Sequence, residues 1–279
     1  MLPNSKSREF AHRERKRHIE IKMVTKEISG LLKNNSALEN KETTILEFGC
    51  GDGFQIPYLK QLGNVIASDV YSSDRIKDIH DIRFVQCEIG DTPFDDGQFN
   101  IVFSNHVLEH INDIEHALIE LKRIGNPSCI YAFSVPTNIW LLLTIPAQYR
   151  SKYRIVKNLL LNPTETSVLN TNKKNTSPNK SRKKRSFLSK CIRFIVPWSH
   201  GISPSFIQCY RKFKIKTWQQ LLSDNGFTII KTKPLLLYGP SEWPVIPTTK
   251  SKNKLCSSVL FLMKKDADSI TRTAKVNIK

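Results

Sequence analysis

No two of the six cysteines are spaced as in a Cys-x-x-Cys motif. This spacing excludes the common ligand pattern of structural zinc sites. The sequence does not open with the pattern of a secretory signal peptide, so we expect no set of structural disulfide bonds. The longest apolar run, residues 139–146, is less than half of the roughly 20 residues that a membrane-spanning helix needs. We therefore expect a cytoplasmic protein with no metal site, disulfide or membrane span.

Two nucleotide-binding signatures are also absent from the glycine-rich stretch ILEFGCGDGFQIPY, residues 45–58. The pattern Gly-x-Gly-x-x-Gly fails because Phe54 or Ile56 stands at its third glycine, and no Gly-Lys-Ser/Thr follows. What remains is Glu47 at a strand end, then three glycines at alternate positions, then a helix. Open α/β sheets bind ligands at this edge, although a purely structural turn is an alternative at this point.

Acidic residues are scarce where basic residues are dense. Residues 150–216 contain 17 basic residues and one acidic residue, whereas residues 34–149 carry a net charge of −9. A basic block beside an acidic core predicts a local patch for an anionic partner. It argues against a nucleic-acid-binding surface over the whole fold.

Short apolar runs alternate with helical patterns along the chain. Strands are predicted at residues 43–50, 65–71, 82–89, 99–106, 129–136, 228–238 and 257–265, and helices at residues 8–33, 54–62, 73–80, 112–123 and 216–227. This order predicts an α/β fold with a seven-stranded, mostly parallel sheet and helices on both faces. The last two strands predict an antiparallel closure.

The alternation of predicted strands and helices stops after the fifth strand, which predicts a large insertion there. We divide the chain into a helical segment (1–36), a ligand-binding core (37–136), a basic insertion over the substrate (137–213), the C-terminal completion of the sheet (214–265) and a flexible tail (266–279). Within the insertion, residues 170–186 contain no aliphatic or aromatic side chain. They are predicted to form a disordered loop.

Two acids follow predicted strands next to the glycine turn. Asp69 ends the second strand, where a carboxylate can accept hydrogen bonds from both hydroxyls of a ribose. Glu88 ends the third strand and precedes Ile89. The Glu88 carboxylate could accept a hydrogen bond from the amino group of adenine, and the apolar Ile89 could pack against the adenine ring. Each acid alone is compatible with a solvated strand end, but together with the glycine turn they predict one nucleoside ligand.

The ordered motifs ILEFGCGDGFQIPYL, VIASDVY, FVQCEIGDTPFDDGQFNIVFSNHVLEHINDIEHALIELKRI and YAFSVP resemble those of class I S-adenosylmethionine-dependent methyltransferases of the type 11/23 group. The similarity covers about residues 43–136 and, more loosely, 214–265. It implies a Rossmann-like fold, methyltransferase activity and S-adenosylmethionine as the cofactor. Asn100, Thr92 and residues 125–129 depart from the usual pattern of the group.

The resemblance also implies roles for individual residues. Asp69 would bind the ribose of the cofactor, and Asn105 and His106 would line the reacting methyl. The adenine would contact Val70, Glu88 and Ile89. The methionine portion would be surrounded by Glu47, Gly49, Cys50, Gly51 and Gly53. A hydroxyl acceptor needs a base to remove its proton. His200, in a His-Gly element before the last helix, is the preferred base, and His106 is the second choice. His110 is expected to pack against or cap the following helix.

The acceptor is expected to be an anionic small molecule or glycan, such as a lipid-linked or phosphorylated sugar of surface polysaccharide biosynthesis. Residues 186–198 combine apolar and basic positions at helical spacing, so they predict either a helix in an anionic membrane interface or a cap over the active site. Residues 182–185 could equally contact nucleic-acid phosphates. An RNA-associated methyltransferase or a non-catalytic cofactor-binding subunit is the alternative function.

Overall fold

The computed structural model describes residues 5–33, 43–79, 81–161, 197–239, 245–248 and 255–266. Its strands are β1 (Thr44–Phe48), β2 (Asn64–Asp69), β3 (Arg83–Gln86), β4 (Phe99–Asn105), β5 (Gly125–Pro136), β6 (Phe227–Pro234), β7 (Leu236–Leu237), β8 (Ile246–Pro247) and β9 (Ser258–Lys265). Its helices are α1 (Ser5–Lys33), α2 (Ile56–Leu59), α3 (Asp74–Lys77), a 3₁₀ turn (Leu108–His110), α4 (Ile114–Ile124), α5 (Asn138–Leu161), α6 (Phe206–Lys212) and α7 (Ile215–Asp224).

Seven of the strands form one sheet in the order β3-β2-β1-β4-β5-β9-β6. The pairings among β1 to β5 are parallel, and β9 runs antiparallel to both β5 and β6. Apolar side chains are buried on both faces of the sheet, as they must be when helices cover it on either side. The predicted Rossmann-like sheet with an antiparallel last strand is therefore confirmed.

Several predicted elements are shorter in the structure, including the helix predicted at residues 73–80, which spans Asp74–Lys77. Two others bear on the site. The helix predicted over residues 54–62 spans only Ile56–Leu59, because the chain must turn back into β2, where the Asn64 amide donates to the Thr43 carbonyl oxygen. Strand β3 ends at Gln86 because Cys87 donates to the last carbonyl of β2, that of Asp69. Glu88 therefore lies beyond the strand, in an isolated bridge with Asp91.

The long helix α1 is attached to the sheet at several points. Ile21, Val24 and Ile28 are at most 1% exposed and supply its apolar contact. Near the middle of α1, the Arg17 guanidinium donates to both carboxylate oxygens of Asp52, at 3.0 and 2.5 Å. Since Asp52 lies between the second and third glycines of the turn, this pair ties α1 to the glycine turn.

The insertion begins with α5, which follows β5 after a single residue. Residues 162–196 lie outside the described residues, and so do the loop predicted at 170–186 and most of the segment 186–198. The expectations of membrane or nucleic-acid contact by these segments, and the domain division, stay predictions. None of the helices in the described ranges is both long and apolar enough to cross a membrane.

Candidate active site

A cavity of about 440 Å³ opens at the carboxyl edge of the parallel strands. One side is formed by residues that end or follow β1, β2 and β3, and the other by the segment after β4 together with α4. Its lining residues include six of the predicted site residues, Gly49, Asp69, Val70, Glu88, Ile89 and His106, and also His110 and His116. This volume falls within the range of about 300–1,000 Å³ that is typical of small-ligand pockets.

The glycine turn has the backbone that its sequence predicts. Gly49, Gly51 and Gly53 have φ angles of +70°, +58° and +72°, a region that strongly favours glycine. A Cβ atom on Gly49 would lie 2.3 Å from a methyl group of Val107, and one on Gly53 would lie 2.5 Å from a methyl group of Ile79. The turn therefore needs glycine both for its backbone and for close packing.

Asp69 faces the cavity from the end of β2. Its carboxylate accepts hydrogen bonds from the backbone N–H groups of Gly51, at 2.9 Å, and Tyr71, at 3.1 Å. A carboxylate has about four acceptor positions, so capacity for two hydroxyl donors remains. Val70 and Ile89 add apolar surface to the same lining. This part of the cavity has the chemistry of a nucleoside site.

Five predicted cofactor residues do not line the cavity: Glu47, Cys50, Gly51, Gly53 and Asn105. Glu47 is 1% exposed and Cys50 is 2% exposed. The Glu47 Oε1 atom accepts from Gln55 Nε2 at 3.0 Å, and Gln55 Oε1 accepts from Asn105 Nδ2 at 2.8 Å. Asn105 in turn accepts a hydrogen bond from Ser134. Glu47 and Asn105 thus belong to a chain of hydrogen bonds that supports the turn, and Gln55 is a member that the sequence did not indicate.

Burial dominates the ionisation of Glu47. It raises the pKa of this carboxyl to about 8, even though the hydrogen bond from Gln55 favours the charged form. Within the described part of the chain, the Oε2 atom of Glu47 has no hydrogen-bond partner. Glu47 is therefore mostly protonated at neutral pH when the cofactor is not bound.

His106 follows β4 in a left-handed backbone conformation, with φ of 57°, which is uncommon for a residue other than glycine. Its Nε2 atom is 3.3 Å from Glu20 of α1, and its Nδ1 atom is 3.7 Å from Glu109. Burial lowers the pKa of His106, but the two carboxylates outweigh burial and raise it to about 9. His106 is thus a cation at neutral pH and has no free lone pair for a proton. Glu20 is a residue that the sequence did not indicate.

His200 does not line the cavity, but its ring lies 5.1 Å from the ring of His110, which does. The His200 ring also contacts Trp140 of α5, at 4.7 Å. Burial and the neighbouring His110 lower the pKa of His200, so its imidazole is neutral at pH 7. His110 does not cap α4, because the Asp113 side chain accepts from the His116 amide instead.

Residues 46–133 match the family model described as Methyltransf_11, a methyltransferase domain. This chain carries a class I S-adenosylmethionine-dependent methyltransferase domain. S-adenosylmethionine is its cofactor, and the residues present fit that group: a carboxylate at the end of β2, apolar surface beside it and a turn of three glycines. The bound cofactor supplies a methyl group activated by a sulfonium.

The fold of this methyltransferase is found in solved structures. An S-adenosylmethionine-dependent methyltransferase from Thermotoga maritima, described as a possible histamine N-methyltransferase, is 16% identical, with 91% of each chain covered and a TM-score of 0.50. A methyltransferase from Aquifex aeolicus is 14% identical, with 80% of this chain and 82% of that chain covered and a TM-score of 0.42. A Burkholderia thailandensis N1-methyltransferase, solved with S-adenosylhomocysteine, is 14% identical, with 87% and 78% covered and a TM-score of 0.46.

Replacing Glu47 by glutamine is expected to change the pH dependence of stability. The folded-state pKa of about 8 lies above the unfolded value, so the protonated carboxyl contributes stability below about pH 4.5 that is lost as the pH rises through 8. Between pH 5 and pH 8, the cofactor-free wild type should lose about 3–4 kcal/mol relative to Glu47→Gln. Thermal or urea unfolding of both proteins at pH 5, 6.5 and 8 measures this difference. A difference that does not vary with pH would contradict it.

Replacing Asp69 by alanine is expected to weaken S-adenosylmethionine binding roughly 10- to 100-fold, because charge-assisted hydrogen bonds to the ribose are lost. Isothermal titration calorimetry with S-adenosylmethionine and S-adenosylhomocysteine measures the effect. Asp74→Ala is the matched control, since the Asp74 side chain is fully exposed on α3 and lies outside the cavity lining. Equal affinities of the two variants would refute the assignment of Asp69 to the ribose.

Proposed function

We propose that this methyltransferase methylates a hydroxyl oxygen of an anionic small molecule or glycan, with a lipid-linked or phosphorylated sugar of surface polysaccharide biosynthesis as the leading acceptor class. The observation that carries the proposal is the pair of imidazoles formed by His110 and His200. His110 lines the cavity on its β4 side, across β1 from Asp69. A hydroxyl acceptor needs a base at this position, and imidazole is the commonest one.

In the proposed reaction the acceptor oxygen bonds to the methyl carbon, the carbon–sulfur bond breaks with its electron pair on sulfur, and the hydroxyl proton passes to His200. The contribution of the protein is mainly alignment, which can supply roughly 7–11 kcal/mol of the barrier. The ring of Trp140 and the ring of Phe213, 6.2 Å away, hold the His200 imidazole in place. A base fixed in this way needs no reorganisation when the acceptor arrives.

Positive charge near His200 supports an anionic acceptor. The His200 carbonyl oxygen accepts from the Cys209 thiol of α6, at 3.4 Å, so α6 is attached to the His200 segment. Three exposed basic residues lie at the end of α6 or just after it: Arg211, Lys212 and Lys214. Together with the basic composition of residues 150–216, these cations favour a phosphate- or carboxylate-bearing acceptor.

The acceptor class can be tested with S-adenosylmethionine carrying a labelled methyl group. The purified chain is incubated with cell extract that has been separated into lipid, glycan, RNA and protein fractions. We expect label in the glycan or lipid-linked sugar fraction, in a form stable to mild alkali, because a methyl ether resists hydrolysis that cleaves a methyl ester. Label confined to RNA or protein would overturn the proposal. Cofactor binding with no label in any fraction would instead favour a non-catalytic subunit.

Once an acceptor is found, His200→Gln is expected to lower kcat about 10²–10⁴-fold, because the proton acceptor is lost. The affinity for S-adenosylmethionine should stay unchanged in calorimetry, since His200 does not line the cofactor cavity. His18→Gln is a matched control, because His18 is an exposed histidine of α1 that contacts Tyr58. A kcat of His200→Gln equal to that of the control would rule out His200 as the base.

A further inference from the structure

Glu109, His110 and His200 bring together one carboxylate and two imidazoles. One ligand atom from each residue can be chosen so that all three lie within 4.8 Å of one another. Glu109 and His110 belong to the 3₁₀ turn after β4, whereas His200 belongs to the segment that precedes α6. The sequence shows no metal-binding spacing, because the residues come from distant parts of the chain.

The two segments are held together by backbone contacts. Gly201 has φ of +64°, and a Cβ atom on it would lie 2.4 Å from the carbonyl oxygen of Glu109. Only glycine allows the His200 segment to lie this close to the 3₁₀ turn. His200 is further fixed by the thiol of Cys209, which donates to its carbonyl oxygen. The backbone of the two segments thus fixes the positions of the three side chains that could bind a metal ion.

The carboxylate of Glu109 is the independent indication of a missing ligand. Its side chain is 1% exposed, and its Oε2 atom has no hydrogen-bond partner among the described residues. Its Oε1 atom lies 3.7 Å from His106 Nδ1 and 3.9 Å from His110 Nε2, beyond hydrogen-bonding distance. Buried carboxylate oxygens are usually satisfied, so the unpartnered Oε2 atom of Glu109 beside the two imidazoles supports a ligand at this position in addition to the neighbouring His106.

We propose that Glu109, His110 and His200 bind one divalent transition-metal ion beside the cofactor cavity. Two imidazoles and one carboxylate are a ligand set that suits Zn²⁺, Mn²⁺, Fe²⁺ or Co²⁺, whereas Mg²⁺ prefers oxygen ligands. Three protein ligands leave at least one coordination position for water or a substrate oxygen. Because His110 also lines the cavity, that position is next to the proposed acceptor.

The ion would extend the proposed function by activating the acceptor hydroxyl. Only this catalytic role of the ion rests on the proposed function; the binding site itself does not. A hydroxyl bound to the ion has a lowered pKa and releases its proton to water at neutral pH. With the ion bound, His200 would be one of its ligands and the proton would pass to water, which replaces the role of base that His200 has in the reaction without the ion. The oxygen still bonds to the methyl carbon, and the electron pair of the broken carbon–sulfur bond still goes to sulfur.

Metal binding can be measured without any acceptor. Untagged full-length protein is stripped with a chelator and titrated with Zn²⁺, Mn²⁺ and Co²⁺ by calorimetry, and the Co²⁺ form is followed by visible absorption. We expect one ion per chain and a Co²⁺ spectrum of a site with nitrogen ligands. His110→Ala, His200→Ala and Glu109→Gln should each weaken binding at least about 10-fold. His18→Ala should not change it.

His110→Ala is the most informative variant, because the His110 side chain is 50% exposed and its loss leaves the buried core intact. Circular dichroism and S-adenosylmethionine affinity confirm that each variant is folded. No binding by the wild type, or equal binding by wild type and His110→Ala, would overturn the metal site. Failure to find a methylated hydroxyl would leave these titrations unaffected, so the two proposals fail separately.

Discussion

The buried ion pair between Glu20 and His106 joins the parts of the molecule on which the site depends. Glu20 comes from α1, His106 follows β4, and the Glu20 carboxylate also accepts a hydrogen bond from Ser258 of β9. A buried carboxylate is costly without a partner, so α1 must lie where His106 and Ser258 can reach it. The pair also fixes His106 in its left-handed conformation, and with it the start of the segment that carries Glu109 and His110.

The sheet was predictable because its signal is local. Strands β1, β2, β4 and β5 are rich in apolar residues, and glycine, asparagine or aspartate lies at one or both ends of each. The predicted helix at residues 54–62 failed in length for a non-local reason: the chain must turn before Asn64 to pair with β1. Asn100, which departs from the pattern of the family, accepts hydrogen bonds from the Thr44 amide and hydroxyl at the start of β1.

The site was predictable in part. Asp69 and the glycine turn are close in sequence to the strands that position them, so motif spacing was sufficient to place them at the cavity. Glu47 was placed in the binding site by the same motif, but in the structure it lies behind the turn, hydrogen-bonded to Gln55. Glu20 and the cluster of Glu109, His110 and His200 had no sequence signal, because their proximity results from how α1 and the insertion pack on the core. No spacing rule in a single sequence encodes such a contact.

The position of β9 has a consequence for how the chain folds during synthesis. This strand lies between β5 and β6 and pairs with both, yet it is made after them. Until it leaves the ribosome, β5 has a free edge and β6 has no place in the sheet. An exposed edge next to apolar strands is a risk for mispairing and aggregation. The sheet is therefore complete only after β9 has been synthesised and has paired with β5 and β6. We expect chaperones to bind chains that are truncated before β9.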